Sequence, residues 1–264
     1  MGAPPPATLV FLVRHGTTPT TGALLPGRAP GLHLSDKGKA QAESVGERLR
    51  GWAQANPERG NPERGNPERA NPERANPEQA NPEQANPEQD GKRTTRRKKA
   101  PGPSRPSIGG IYASPLERTK ETAAAIAAAL GSRVRMDRGL LECDFGEWTG
   151  GSLKDLSKLP EWSTVQRYPS GFRFPGGESF AEMQTRIVGA LHGICERHPG
   201  EAVIAVSHAD PIKAVVADAM GTHLDLFQRI VISPCSITVI SYGSLGPTVL
   251  AVNSTGSIGD LVPS

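Results

Sequence analysis

The stretch Leu9-Val10-Phe11-Leu12-Val13-Arg14-His15-Gly16 decides the architecture. It opens on an apolar run, and Thr17-Thr18-Pro19 follows as a polar, turn-prone exit. A short continuous apolar run closed by a turn reads as a strand buried on both faces, the kind found in parallel α/β sheets. That strand delivers an arginine and a histidine together at its carboxyl end, the edge where open α/β sheets take their ligands. A guanidinium can hold phosphoryl oxygens in a bidentate grip, and an imidazole nitrogen can attack phosphorus. Alone, the pair is weak evidence, because a single strand-end histidine is more often structural.

Matching pieces lie downstream. Ile111-Tyr112 reads as a second strand and leads into Ala113-Ser114-Pro115-Leu116-Glu117-Arg118-Thr119-Lys120. Pro115 is expected to open an alanine-rich helix reaching Leu130, a favoured first-turn place for proline. Arg118 then lies one turn in, close to the positive helix terminus, where it is either an anion ligand or an ordinary solvated cation. The segment Leu140-Leu141-Glu142-Cys143-Asp144-Phe145-Gly146-Glu147-Trp148 sets carboxylates among apolar side chains, where burial can raise a pKa and hold a proton near neutrality. A further apolar run, Ala202-Val203-Ile204-Ala205-Val206, ends in Ser207-His208 before a helix from Pro211 to Ala219. Two strands that each end in histidine are harder to dismiss than one.

These pieces predict a three-layer α/β sandwich around a mostly parallel central sheet. Strands are expected near 8–14, 109–113, 202–207, 236–241 and 248–252, and helices near 36–51, 115–130, 178–197 and 210–220.

Arg14-His15-Gly16, Ser114-Pro115-Leu116 with Arg118, Glu142 with Gly146-Glu147-Trp148, and Ser207-His208 together resemble the histidine phosphatase superfamily, the phosphoglycerate mutase-like fold. Gly27 followed by Leu34-Ser35-Asp36-Lys37-Gly38, and Phe174-Pro175-Gly176-Gly177-Glu178-Ser179, fit the same pattern, which covers residues 8–50 and 108–252. The sequence looks most like the phosphatase and phosphomutase branches. The resemblance implies that His15 is the nucleophile of a phosphohistidine intermediate. Arg14, Arg118 and His208 would surround the phosphoryl oxygens, and Glu142 would be the general acid and then base. Thr21, Gly27 and the backbone amide of Ala209 would help bind substrate; no metal and no cofactor are required. Thr17 and Thr21 stand where the family commonly has Glu or Gln and Asn, Ala209 where it often has Gly, and Thr149 where it often has Glu.

Between residues 53 and 107 the character changes. Asn-Pro-Glu-Arg or Asn-Pro-Glu-Gln begins at Asn56, Asn61, Asn66, Asn71, Asn76, Asn81 and Asn86. A five-residue period matches neither helix nor strand, and each proline removes a backbone donor. With no aromatic or β-branched residue from Ala53 to Arg93, the segment cannot offset its ordering entropy and is expected to be disordered. It would interrupt a single domain spanning 1–252, with 253–264 as a tail. The basic run Lys92-Arg93-Thr94-Thr95-Arg96-Arg97-Lys98-Lys99 could touch nucleic acid, although a solvated linker is the simpler reading because no stacking aromatics are interleaved. From Gly51 to Gly109 there are 11 Lys/Arg against 8 Asp/Glu, so this stretch carries the whole chain's net charge of +3.

Three cysteines without paired spacing are expected to stay reduced, in a cytoplasmic protein. No apolar run approaches the roughly 20 residues of a membrane span. Residues 149–174, with Trp162, Tyr168, Phe172, Arg173 and Phe174, are expected to lie over the site. Three functions follow: a phosphatase acting on a small phosphorylated metabolite, a phosphomutase passing the group to a second hydroxyl, or a non-catalytic phosphate-ligand-binding protein. The last is disfavoured because all four charged groups are present. The oligomeric state cannot be read from the sequence.

Overall fold

The computed structural model describes residues 5–55 and 105–256. The Asn-Pro-Glu repeats, the basic run and residues 257–264 lie outside the described residues. In chain order the elements are β1 (Thr8–Arg14), α1 (Asp36–Gln54), β2 (Ile108–Ala113), α2 (Glu117–Leu130), β3 (Val134–Met136), α3 (Leu153–Leu156), α4 (Trp162–Arg167), α5 (Phe180–Glu196), β4 (Ala202–Ser207), α6 (Ala209–Ala219), β5 (Ile237–Gly243) and β6 (Gly246–Ser254). The sheet order is β3-β2-β4-β1-β5-β6. β1, β2, β3 and β4 pair in parallel, and β5 and β6 add an antiparallel edge.

Alternation along β1 builds the three layers. Phe11 and Val13 face Val45, Leu49 and Trp52 of α1 and Ile126 of α2, whereas Val10 and Leu12 face Ile187 and Leu191 of α5 and Ile212 and Val215 of α6. Both faces are sealed, which is why the strand carries no polar residue between Thr8 and Arg14. A third, aromatic cluster joins Phe145, Trp148, Phe172, Phe174 and Phe180 beside the carboxyl edge.

Local signals set the helix ends. Ser35 caps α1 by accepting from Gly38 N at 3.2 Å, and Ser179 and Glu182 form a reciprocal capping box on α5. Gly38 also lets the exit of β1 approach α1: a Cβ there would stand 2.0 Å from the Thr17 carbonyl oxygen. The helix α1 runs past the expected end at 51 to Gln54, because buried Trp52 packs edge-on against Phe11 at 4.6 Å. Pro115 does not open α2. The cap is extended Leu116, and Arg118 is the second helical residue rather than one turn in.

The described residues on either side of positions 56–104 are neighbours. Arg105 Nη1 donates to the Trp52 carbonyl at 2.9 Å, and its guanidinium stands 5.7 Å from the Trp52 ring. Loop-closure entropy changes only logarithmically with length, by about 2 kcal/mol for a tenfold change. Replacing residues 56–104 by a short Gly-Ser turn is therefore expected to keep the thermal midpoint within a few degrees and turnover within twofold. Differential scanning fluorimetry and an aryl phosphate assay check this.

Candidate active site

Two adjacent parallel strands deliver the two histidines. Arg14, the last residue of β1, is in register with Ser207, the last of β4, and His15 N donates to the Ser207 carbonyl at 3.0 Å. The rings of His15 and His208 consequently stand 5.2 Å apart at 62°. Ser114, just past β2, donates its backbone N–H to the Val206 carbonyl and brings its hydroxyl within 2.9 Å of His208 Nε2. Three strand ends thus converge.

His15 is buried, and its Nδ1 lies 2.7 Å from the Gly16 carbonyl. A carbonyl only accepts, so Nδ1 carries the proton and Nε2 of the neutral ring keeps its lone pair. Burial first, then the Arg118 and Arg14 cations, lower its pKa to about 3, so the ring is neutral at physiological pH. The His208 imidazole is likewise pushed well down by burial and by Arg118.

Arg118 is fully buried and Arg14 half-buried. Arg118 Nη2 donates to the Gly27 carbonyl at 2.8 Å, and Arg14 Nη1 to the Ile232 carbonyl at 2.6 Å. Arg14 Nε, Arg118 Nε and Nη1, and His208 Nδ1 are buried without a hydrogen-bond partner among the described residues. Such groups are rarely left unpaired in native structures, and the exceptions call for a functional explanation.

Glu142 lies in the segment after β3, with its Oε2 3.8 Å from His208 Nδ1 and its Oε1 accepting from Cys143 N at 3.0 Å. Burial first, then the Asp210 charge, raise its pKa to about 7 against the pull of Arg118. The Cys143 thiol is pushed far up by burial, which leaves it as packing.

A cavity of about 490 Å³ opens onto Arg14, His15 and Glu142 and is also lined by Thr18, Thr21 and Ala209. Thr21 Oγ1 accepts from Thr18 N at 2.8 Å. Gly27 does not line the cavity; its carbonyl anchors Arg118, and its φ of 53° is a left-handed conformation suited to glycine. Ala209 is the first residue of α6, with His208 as its cap. Of the aromatic segment expected over the site, Trp162 and Phe174 line the cavity. Phe172 belongs to the aromatic cluster, while Tyr168 is exposed and Arg173 pairs with Glu182 at the surface. Among the described residues no group of three or more His, Cys, Asp or Glu could hold a metal ion.

One set of positioning residues escaped the sequence reading. Arg186 on α5 donates to the carbonyls of Gly139, Leu141 and Glu142 at 2.8, 2.9 and 3.2 Å, and Arg28 Nε donates to the Glu142 carbonyl at 2.9 Å. Glu178 bridges the two guanidiniums at 2.8 and 2.9 Å. This triad clamps the irregular backbone on which Glu142 rides.

Comparison with known proteins identifies the family and the fold. The profile of the histidine phosphatase superfamily, branch 1, matches residues 10–56 and 99–255. A phosphoserine phosphatase 1 from Hydrogenobacter thermophilus is 30% identical over 167 residues, covering 60% of this chain and 75% of the relative. A bifunctional protein of Mycobacterium tuberculosis is also 30% identical, over 154 residues, but the match spans 58% of this chain and only 42% of that protein's length. The native structure of a mycobacterial glucosyl-3-phosphoglycerate phosphatase superposes with a TM-score of 0.67 at 18% identity, covering 94% of this chain and all of the other, so the fold is shared. With the profile running through most of the chain, from β1 to the last strand, the chain belongs to the histidine phosphatase superfamily.

Proposed function

We propose that this chain is a phosphatase that hydrolyses small-molecule phosphomonoesters through a phosphohistidine on His15. The observation that carries the reading is an imidazole fixed with Nε2 as its free lone pair, beside buried guanidinium and imidazole donors that no group among the described residues satisfies. A phosphoryl dianion supplies the missing acceptors.

In the first half-reaction His15 Nε2 bonds to phosphorus as the ester P–O bond breaks, and Glu142 gives its proton to the departing alkoxide. In the second, water attacks the phosphorus, Glu142 takes the proton, and the P–N bond breaks to release inorganic phosphate. Arg14, Arg118 and His208 hold the equatorial oxygens, where preorganised charge lowers the barrier without reorganisation. Thr21 and the Ala209 amide sit at the rim of the same cradle, and Gly27 serves it indirectly through Arg118. The same reading takes residues 5–55 and 105–256 as one catalytic domain and puts the protein in the cytoplasm. That location suits its three unbridged cysteines, and among the described residues no helix is long and apolar enough to cross a membrane.

The test is to mix the enzyme with a panel of phosphate esters, quench, and look for acid-labile protein-bound phosphate. The expected result is a phosphoenzyme, with inorganic phosphate released in step with alcohol. Release of alcohol with transfer to a second hydroxyl would indicate the mutase, and binding without a phosphoenzyme a non-catalytic protein. The pH profile is part of the same test. His15 is neutral above about 3 and Glu142 is an acid below about 7, so the rate on alkyl esters is expected to hold between those values and fall above 7. Glu142→Gln should lose that alkaline limb together with most of the activity.

A further inference from the structure

We infer that the ester's leaving group is an uncharged, bulky apolar alcohol, and not one bearing a carboxylate. This rests on the phosphatase reading and narrows it. Past the phosphoryl cradle, the wall of the cavity is made by Leu25, Phe145, Trp148, Trp162, Ile230 and Ile232. Trp148 and Trp162 stack at 6.3 Å with an interplanar angle of 18°, and Phe174 braces Trp148 edge-on at 5.4 Å. At about 490 Å³ the space falls within the roughly 300–1,000 Å³ of pockets that bury sizeable ligands.

The charges of that wall decide what it rejects. Beyond Arg14, His15 and Glu142, the charged lining residues are Asp210 and Lys213, and they neutralise each other across 3.1 Å. Lys213 Nζ also donates to Gln228 Oε1 at 3.1 Å and lies 5.7 Å from the Phe227 ring. The neighbouring cations Arg28 and Arg186 are tied to Glu178. A phosphorylated hydroxy acid or amino acid would therefore bring a carboxylate into an apolar wall where, among the described lining residues, the one cation beyond the phosphoryl cradle is already paired with Asp210. Desolvating such an anion without a partner is strongly unfavourable. An uncharged hydrocarbon group meets the opposite situation, with aromatic faces on which to stack.

The experiment compares kcat/KM of the full chain on 2-phenylethyl phosphate, ethyl phosphate, O-phosphoserine and 3-phosphoglycerate. The primary-alkyl esters among them limit leaving-group chemistry as the cause of any difference. The phenylethyl ester is expected to exceed phosphoserine and 3-phosphoglycerate at least thirtyfold. Trp162→Ala should lower the phenylethyl value at least tenfold more than the ethyl value, mainly through KM. Independently of Trp162, Asp210→Ala frees Lys213 and should shift the ratio of phosphoserine to phenylethyl turnover at least fivefold towards phosphoserine. Parity or preference for either carboxylate ester in the unmodified enzyme overturns the inference, while a trapped phosphoenzyme leaves the phosphatase reading standing. Failure of every ester to give alcohol or phosphoenzyme removes both.

Discussion

Replacing His15 by alanine is expected to reduce turnover at least about 10³-fold while the protein stays folded, because among the described residues the proposed covalent route has no second nucleophile. Cys143 lies next to Glu142, but burial holds its thiol protonated, and Cys235, the other buried thiol, is pushed up to about 12. The folded state has little to lose. His15 sits after the last residue of β1, and its one side-chain hydrogen bond among the described residues is to Gly16 O. Truncation leaves that carbonyl unpaired, at about 1–3 kcal/mol. The same variant tests the electrostatics. A histidine with a folded pKa of about 3 against an ordinary 6.5 contributes stability above 6.5, and that contribution is lost as pH falls towards 3. Glu142 has the opposite sign: raised from 4.5 to about 7, it contributes below 4.5 and loses that contribution as pH rises through 7. Between pH 6.5 and 4.5 the melting temperature of His15→Ala should therefore fall less than that of the unmodified protein. Unchanged turnover on an aryl phosphate, or an identical acid sensitivity, would remove His15 from the centre of the mechanism.

The parts legible in the sequence are those whose signal is local and continuous. β1 and β4 announce themselves because a strand sealed on both faces must be apolar throughout, and the residue after each run must be the first that ligand can reach. That places Arg14, His15 and His208 at the carboxyl edge, while their proposed chemistry rests on the pieces taken together. Glu142 was one of three carboxylates in its segment; what separates it from Asp144 and Glu147 is burial, which depends on the packing of Phe145 and Trp148 rather than on spacing. β3 was invisible because Val134-Arg135-Met136 is a three-residue edge strand with two of its three side chains exposed. The start of α2 was misjudged for a physical reason: Leu116, although followed by good helix formers, keeps an extended ψ of 149° to carry the chain off β2. The Arg28–Glu178–Arg186 clamp could not be read, since Arg28 lies about 150 positions from the other two and each looks like a surface charge. The one available hint was Pro175-Gly176-Gly177-Glu178, a tight turn that presents a carboxylate. Gly27 was expected to help bind substrate; it does not line the cavity, and its carbonyl accepts from Arg118.

Arg118→Met is expected to separate function from stability. On the proposed reading the two unpaired donors of Arg118, Nε and Nη1, meet the phosphoryl group, and a charge-assisted hydrogen bond is worth about 1.5–3 kcal/mol. Losing two such contacts in the transition state predicts a fall in kcat/KM of about 10²–10⁴. Stability should move the other way or not at all. The guanidinium is fully buried, burial already depresses its pKa, and its one protein acceptor is the Gly27 carbonyl. Methionine fills a similar volume with no charge to desolvate, and replacing a buried charge by a well-packed apolar group is often neutral or stabilising. Against this stands the orphaned Gly27 carbonyl, at about 1–3 kcal/mol. Glu142, which loses a nearby cation, can answer by taking up a proton near neutrality. Melting curves and kcat/KM on one ester, measured together, decide the matter. Arg118→Lys adds a discriminating control, because it restores the charge without the planar fork and should recover only part of the lost rate. An Arg118→Met protein that melts well below the unmodified one yet keeps its turnover would make this arginine a brace for the Gly27 loop, leaving Arg14 and His208 to hold the anion without it.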